Sequence, residues 1–395
     1  MTIDNRKRMK HLRIENFGPL QLADIELDRL NLIIGYQSSG KSCALKTACF
    51  CSWLEKRIIL SQSPDYYAKD GNFKKSLEEY HKFYGYFKPD TVIEYESQFL
   101  KFRYANNDNS FTFSWNKKRW NYKRKKISYI PTERNIVATF PAWKKQAIVD
   151  DNVLDFMNDW DKARKYVKNI NNILNLDLGY SYDETLEKDS IKLQNGTEIS
   201  LSNSSSGIQS LIPMFVLINY LAGGIYRQEK ESDGKTLYER EESKKLLYLI
   251  YDSLGRRQYA QNGNIKVTKQ NIDFYFDNPK DAENFEKQVK NFTQTSGCEI
   301  FLEEPENNLF PPTQCQLIDV LLDMTNNRNH PGTFFIATHS PYVLDHLLEK
   351  RTKGFNFYFT HQTAEGSVVR QATDEEIEEI RANGVDMFFN FEAFV

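Results

Sequence analysis

Cysteine is scarce in this sequence. Its 395 residues hold five, Cys43, Cys49, Cys51, Cys298 and Cys315, an odd number with no Cys-x-x-Cys spacing. That excludes a disulfide-stapled secreted scaffold and reads as reduced thiols in a cytoplasm. Cys49 and Cys51 are two apart on a predicted helix, face different directions and do not chelate together. Charge of one sign is lacking too: 52 Lys plus Arg against 54 Asp plus Glu leaves −2. No uniform field draws the whole molecule to nucleic acid, so any such attraction is local. Long hydrophobic runs are missing as well. The longest mostly apolar stretch, 211–225, has 15 residues, with Asn219 and two glycines inside it. A bilayer span needs about 18–20. The opening MTIDNRKRMKHLRIENFG carries no apolar signal region.

What is present is a folding composition. Apolar residues make up 40% and aromatics 14%, enough for a real core, and the length suits two or three domains at about 150 residues each. Residues 11–34 alternate and then turn continuously apolar, which predicts two antiparallel strands followed by a short buried one. A helix is expected from Cys43 to Leu60, an antiparallel meander over 91–130, a helix over 150–178 and an apolar helix over 207–221. Further on, GCEIFLEEPE reads as a buried strand ending in acids, Pro311–Met324 as a helix, GTFFIATHS as another buried strand and NFYFTHQTAEGSVVRQ as a hairpin. Buried strands alternating with helices make an α/β core. No internal repeat and no extended heptad run is visible.

Four segments carry chemistry. The first, Gly35-Tyr-Gln-Ser38-Ser39-Gly40-Lys41-Ser42, fits GxxxxGK[ST] between an apolar strand and a helix. Glycines let the backbone amides curl round phosphates, the lysine reaches the β- and γ-phosphates, and the serine hydroxyl is a ligand for magnesium. The expected cradle is Gly35, Ser38, Ser39, Gly40, Lys41, Ser42 and Cys43. The second, Ile300-Phe-Leu-Glu303-Glu304-Pro-Glu306, delivers adjacent carboxylates to the carboxyl edge of a strand, where ligands sit in a parallel sheet. One acid suits the magnesium shell and the next suits polarising an attacking water. The third, Ala337-Thr-His339-Ser-Pro341, ends another apolar strand with a histidine, which reads either as an ordinary polar residue or as a sensor of the γ-phosphate. The fourth, Leu201-Ser-Asn-Ser-Ser205-Ser206-Gly207-Ile-Gln209-Ser210, caps an apolar helix, either as a plain N-cap or as an anion-facing helix end.

Taken in this order, the four segments resemble the ABC-type ATPase heads of the RecF/SMC and OLD group, including stand-alone AAA-family ATPases related to OLD nucleases. LRIENFGPL is similar to that group's first strand, EEPENNLFP to its EEPE-x-x-L-x-P segment, ATHSP to its histidine switch, and Tyr129-Ile-Pro-Thr-Glu133-Arg134-Asn135 to a further segment. The resemblance covers about 11–50, 127–136, 200–221 and 296–345, and not 222–298. It implies ATP and Mg2+ as ligands, with Glu303 and Ser42 on the metal and Glu304, His339 and Lys41 catalytic. It also implies that Ser205, Ser206, Gly207 and Gln209 form a signature that closes over the phosphate loop of a second subunit. This sequence departs from the usual LSGGQ at that point.

The expected organisation follows. Residues 1–149 form the first part of an ABC-type head with a mixed or parallel core sheet and an antiparallel β meander. Residues 150–221 form a helical signature lobe, 222–298 an insertion that docks a partner or folds back on the head, and 299–395 the rest of the head. About 50 residues follow the histidine switch, too few for the TOPRIM nuclease of OLD proteins. The implied function is an ATPase whose ATP-dependent homodimerisation, or higher assembly, regulates a nucleic-acid process. The leading form is anti-phage defence through a separate TOPRIM- or HNH-type effector nuclease. The rival is a RecF-like repair or chromosome-maintenance ATPase acting directly on DNA. No membrane partner is expected. A basic run with interleaved aromatics, Lys117, Lys118, Arg119, Trp120, Lys123, Arg124, Lys125 and Lys126, reads as a nucleic-acid surface or as a solvated hairpin.

Overall fold

A computed structural model describes residues 10–145, 151–231, 237–255, 263–350 and 354–383. The segment before Lys10, parts of the 222–298 stretch (232–236 and 256–262) and the last twelve residues, 384–395, lie outside the described residues.

One sheet of 11 strands organises the chain, in the order Ser110–Trp115, Leu100–Ala105, Phe87–Glu96, Lys10–Phe17, Leu20–Leu27, Gly366–Gln371, Phe355–Thr363, Leu30–Gly35, Gly332–Thr338, Gly297–Glu303, Lys125–Ile130. Its last five members are mutually parallel, with the phosphate-loop strand Leu30–Gly35 between Phe355–Thr363 and Gly332–Thr338. Alternation sorts the side chains of these strands between two cores. Leu32, Ile34, Ile300, Leu302, Phe334 and Ile336 face one, under the helices Asn152–Val167, Ser206–Asn219, Pro311–Asn326 and Pro341–Lys350. Ile33, Phe301, Phe335 and Ala337 face the other, against the helix Lys41–Ser61. Fourteen of that helix's 21 residues are buried, so it is a central helix, wrapped on its outer side by the antiparallel strands.

Three expectations need correcting. KISYI is not part of the antiparallel meander, because Lys125–Ile130 pairs parallel with Gly297–Glu303 at the edge of the core. Its alternation comes from having one face on Lys41–Ser61 and the other on Asn152–Val167, not from a solvated side. The helix expected over 150–178 ends at Val167 and gives way to a small sheet of Asn169–Ile170, Gly179–Asp183, Lys188–Lys192 and Glu198–Ser200. The apolar helix is longer than its 15-residue core: Ser206–Gln228, 23 residues, is long and apolar enough to cross a membrane, yet its most apolar part is mostly buried inside the fold.

In the described part of the 222–298 stretch most large apolar residues turn inward, Leu249 excepted. Leu246, Leu247, Ile250, Tyr251, Phe274, Phe276, Phe285 and Phe292 join the core around Lys41–Ser61. The helix Pro279–Thr293, capped by Asn278 through the Asp281 amide (3.0 Å), leads directly into the core strand from Gly297.

A charge network closes the end of the sheet opposite the phosphate loop. The buried Glu299 carboxylate accepts Lys10 Nζ at 2.7 and 2.8 Å and Lys125 Nζ at 2.9 Å, and Lys10 also pairs with buried Glu55 at 3.0 Å. Burial alone would raise the Glu299 carboxyl, but the two ammonium groups outweigh it and hold it well below the usual carboxylate range. Glu299→Ala strands both lysines, and its expected cost is about 3–5 kcal/mol, read as a fall in denaturation midpoint. Because the folded value is depressed, this contribution is complete above the ordinary value of 4.5 and is lost only in strong acid. Wild type and Glu299→Ala should therefore differ by a constant amount from pH 6 to 8, and a gap that closed across that range would contradict the assignment.

Candidate active site

Three adjacent parallel strands bring the sequence motifs to one edge. The loop after Leu30–Gly35 leads into the 21-residue helix Lys41–Ser61, whose N-terminal amides and dipole favour an anion. Gly35 cannot be replaced, since a Cβ there would fall 1.8 Å from Thr360 Oγ1 on the neighbouring strand. Lys41 Nζ folds back on the loop and donates to the Gly35 and Tyr36 carbonyls at 2.8 and 2.5 Å. Burial pulls its pKa down to about 8, partly offset by Glu304 and Glu306. Ser38 is exposed on the loop and Ser42 is exposed in the first turn of the helix.

Two expected cradle residues serve differently. Ser39 is buried, with its hydroxyl 2.5 Å from Thr360 Oγ1 and donating to the Tyr36 carbonyl at 2.6 Å, so it ties the loop to the strand Phe355–Thr363. Cys43 points into the core, where burial pushes its thiol up, leaving only its backbone to face a phosphate.

The acids arrive on Gly297–Glu303, with Gly332–Thr338 between that strand and the phosphate-loop strand. Glu303 is buried, and burial raises its carboxyl, while Lys46 and the Ser42 and Tyr129 hydroxyls pull the other way. Its Oε1 lies 3.9 Å from Lys46 Nζ and has no hydrogen-bond partner. Glu304 sits at φ 41, a left-handed conformation that costs a non-glycine residue about 1–3 kcal/mol. Its N–H donates to the Ala337 carbonyl at 2.8 Å, and its carboxylate faces His339 Nε2 at 3.3 Å. The His339 hydrogen bond holds the Glu304 carboxyl below its ordinary value despite some burial. Glu304 is thus an ionised acceptor at the strand edge. Glu306 Oε1 takes the His339 amide at 2.7 Å, which fixes the switch loop to the acidic segment.

Magnesium fits these residues. Among the described residues no three His, Cys, Asp or Glu side chains converge to hold an ion unaided. The orphaned Glu303 oxygen and the Ser42 hydroxyl supply the one carboxylate and one hydroxyl that Mg2+ typically takes from protein beside a nucleotide, the rest being water and phosphate oxygen.

The signature lies on the same side. Ser205 and Ser206 are exposed at the start of Ser206–Asn219, and Gly207 abuts the acidic segment so closely that a Cβ would meet the Asn308 carbonyl at 2.7 Å. Gln209 is not presented to a ligand, because its Nε2 donates to the Ser202 and Ser204 carbonyls at 2.9 and 3.1 Å. It shapes the serine loop instead.

Residues 8–159 match the AAA ATPase domain family. That match covers the phosphate loop and its helix, and it bears out the ATPase-head reading and supports nucleotide binding with ATP hydrolysis. No curated protein matches the chain. Among solved structures, the SMC head domain from Thermotoga maritima is 10% identical at a TM-score of 0.42, covering 93% of this chain and 99% of that one. An ATP-binding cassette of an ABC transporter in its ADP conformation is 11% identical at 0.31, covering 96% and 99%.

The basic run does not form one surface. Lys125 and Lys126 turn inward to Glu299 (2.9 Å) and Asp159 (2.6 Å), and Arg124 donates to the Thr293 carbonyl at 2.6 Å. Arg119 stacks over Trp115 and Trp120, each 5.0 Å from the ring centre, and Trp120 packs against Phe292. Lys117, Lys118 and Lys123 are exposed.

Arg134, which the sequence offered only as a member of the family-like segment 129–135 with no role attached, is fully buried and reaches the carbonyls of Pro131, Ser210, Glu303 and Glu304. That segment marked the turn but not what the guanidinium holds.

Proposed function

We propose that this chain binds and hydrolyses ATP with Mg2+, closes as a homodimer over the nucleotide, and by closing and opening regulates a nucleic-acid-directed process: anti-phage defence through a separate effector nuclease. The observation carrying this reading is the convergence of Lys41, Glu303, Glu304 and His339 at one edge, with Glu304 and His339 3.3 Å apart. Lys41 and the loop amides hold phosphate, Glu304 accepts the proton of an attacking water, and His339 faces the same carboxylate. Bound magnesium would supply charge neutralisation at the phosphates from Ser42 and Glu303.

Dimer closure is supported by exposed aromatics on the three segments that follow the edge strands: Tyr36 (45% exposed), Phe310 (75%) and Tyr342 (43%), the last in the first turn of Pro341–Lys350. Side chains of this size project from the nucleotide face, to which the signature segment is joined by the close approach of Gly207 to Asn308, which suits a partner arriving there. ATP binding and association are then linked. The test is light scattering of the Phe310→Ser, Tyr342→Ser variant with ATP and Mg2+. It should stay monomeric where wild type dimerises, and unaltered dimerisation would remove this face from the account.

For nucleic acid, the three exposed lysines are the remaining candidates. Replacing Lys117, Lys118 and Lys123 together by Ala should weaken DNA binding and lower the salt slope by about 0.9 per lost phosphate contact on duplex DNA. An unchanged slope would locate any DNA contact elsewhere. For the defence role, Lys41→Ala in the native locus should abolish protection against phage, and full protection by that variant would refute it.

A further inference from the structure

Arg134 stands out because, among the described residues, its buried guanidinium hydrogen-bonds to carbonyl oxygens and to no carboxylate. The guanidinium follows the edge strand Lys125–Ile130, which runs parallel beside Gly297–Glu303 with Ile130 opposite Leu302, so its turn sits over the acidic strand's end. Nη1 donates to the Glu303 carbonyl at 2.9 Å and to Pro131 at 3.2 Å, Nη2 to Glu304 at 2.7 Å, and Nε to Ser210 at 3.3 Å. Burial lowers its pKa to about 10, with Glu306, Glu304, Glu303 and Glu133 acting against that from nearby, so it stays charged at neutral pH.

These bonds meet at the residue whose backbone is least comfortable. Glu304 is left-handed, its N–H held by the Ala337 carbonyl and its C=O by Arg134. Clamping both sides of one residue leaves its carboxylate little choice of direction, and that direction is towards His339. The fourth bond leads away, to Ser210 on the helix whose first turn carries Ser205, Ser206 and Gly207. A planar fork of five donors can span three segments in this way, whereas a lysine ammonium cannot.

We propose that Arg134 is the positioning residue of this site: it fixes the backbone that aims Glu304 and ties that backbone to the signature helix. The inference rests on the ATPase reading. In this role Arg134 acts through Glu304, whose carbonyl it holds, and is not itself a catalytic residue.

The test is steady-state ATP hydrolysis by Arg134→Lys and Arg134→Gln in the full chain with Mg2+, alongside ATP binding and a thermal melt. The expected result is a kcat lower by about ten- to a hundredfold with KM and ATP affinity held, the size usual for a supporting partner behind a reacting group. Placed in a Glu304→Gln background, Arg134→Lys should lower the residual rate no further, because the group it aims has already lost its function. Wild-type kcat in Arg134→Lys overturns the proposal, as does full additivity with Glu304→Gln. Loss of ATP binding and of the cooperative melt together in both variants also overturns it, since Arg134 would then be a folding residue. If wild type itself neither binds nor hydrolyses ATP, the ATPase reading fails first and separately.

Discussion

Glu304→Gln should keep its ATP and lose its turnover. The replacement is nearly isosteric, and the φ 41 backbone is held through the main-chain N–H and C=O of residue 304, by the Ala337 carbonyl and the Arg134 guanidinium, so the segment has no reason to move. What disappears is the acceptor. The carboxylate, held below its ordinary pKa by His339, is ionised at neutral pH and able to take a proton from water, while a carboxamide is not. General bases contribute about 10²- to 10⁴-fold, and a fall of that size in kcat is expected with nucleotide affinity unchanged. Under the proposed cycle hydrolysis opens the dimer, so the variant should also accumulate as closed dimers with ATP and Mg2+, visible by light scattering. Normal hydrolysis by Glu304→Gln would assign the base elsewhere.

That experiment addresses a residue visible in the sequence, and the reason it was visible is local. The phosphate loop, the acidic strand end and the strand-ending histidine are short motifs whose chemistry and structural setting come from contiguous residues, and the parallel strands bring them to one edge. Arg134 lies in the family-like segment 129–135, but its role was not legible there, since its partners at Ser210, Glu303 and Glu304 are 76 to 170 residues away and are backbone oxygens, which no residue type announces. The basic run failed for a related reason. Composition shows charges but not their counter-charges, and Glu299 and Asp159, which draw Lys125 and Lys126 inward, lie 174 and 33 residues downstream. Alternation at 125–130 marked a strand correctly and misled about its partners, because two-sided packing against helices and one-sided solvation give the same period. Gln209 shows the same limit at a signature, where the side chain expected to meet nucleotide is used to hold its own loop.

The second large effect is at Lys41. Under the proposed function its ammonium makes the loop's charged contact to phosphate, so Lys41→Ala should cost about 3–5 kcal/mol of ATP affinity, a hundredfold to a few thousandfold, measured by calorimetry. A pH dependence separates this role from mere loop support. Burial depresses the Lys41 pKa to about 8 in the nucleotide-free protein, and an arriving phosphate favours the charged form and raises it again. Below about pH 8 the lysine is already charged and binding takes up few protons there. Above it, each binding event must first protonate Lys41, so ATP affinity should fall by up to about tenfold per pH unit, with close to one proton taken up per nucleotide. Calorimetry at pH 9 in buffers of different ionisation enthalpy measures that proton directly. Its disappearance in Lys41→Ala, together with the alkaline loss of affinity, would identify the lysine as the group. A wild-type affinity flat from pH 7 to 9.5 would mean that Lys41 does not meet the phosphates as the loop geometry requires.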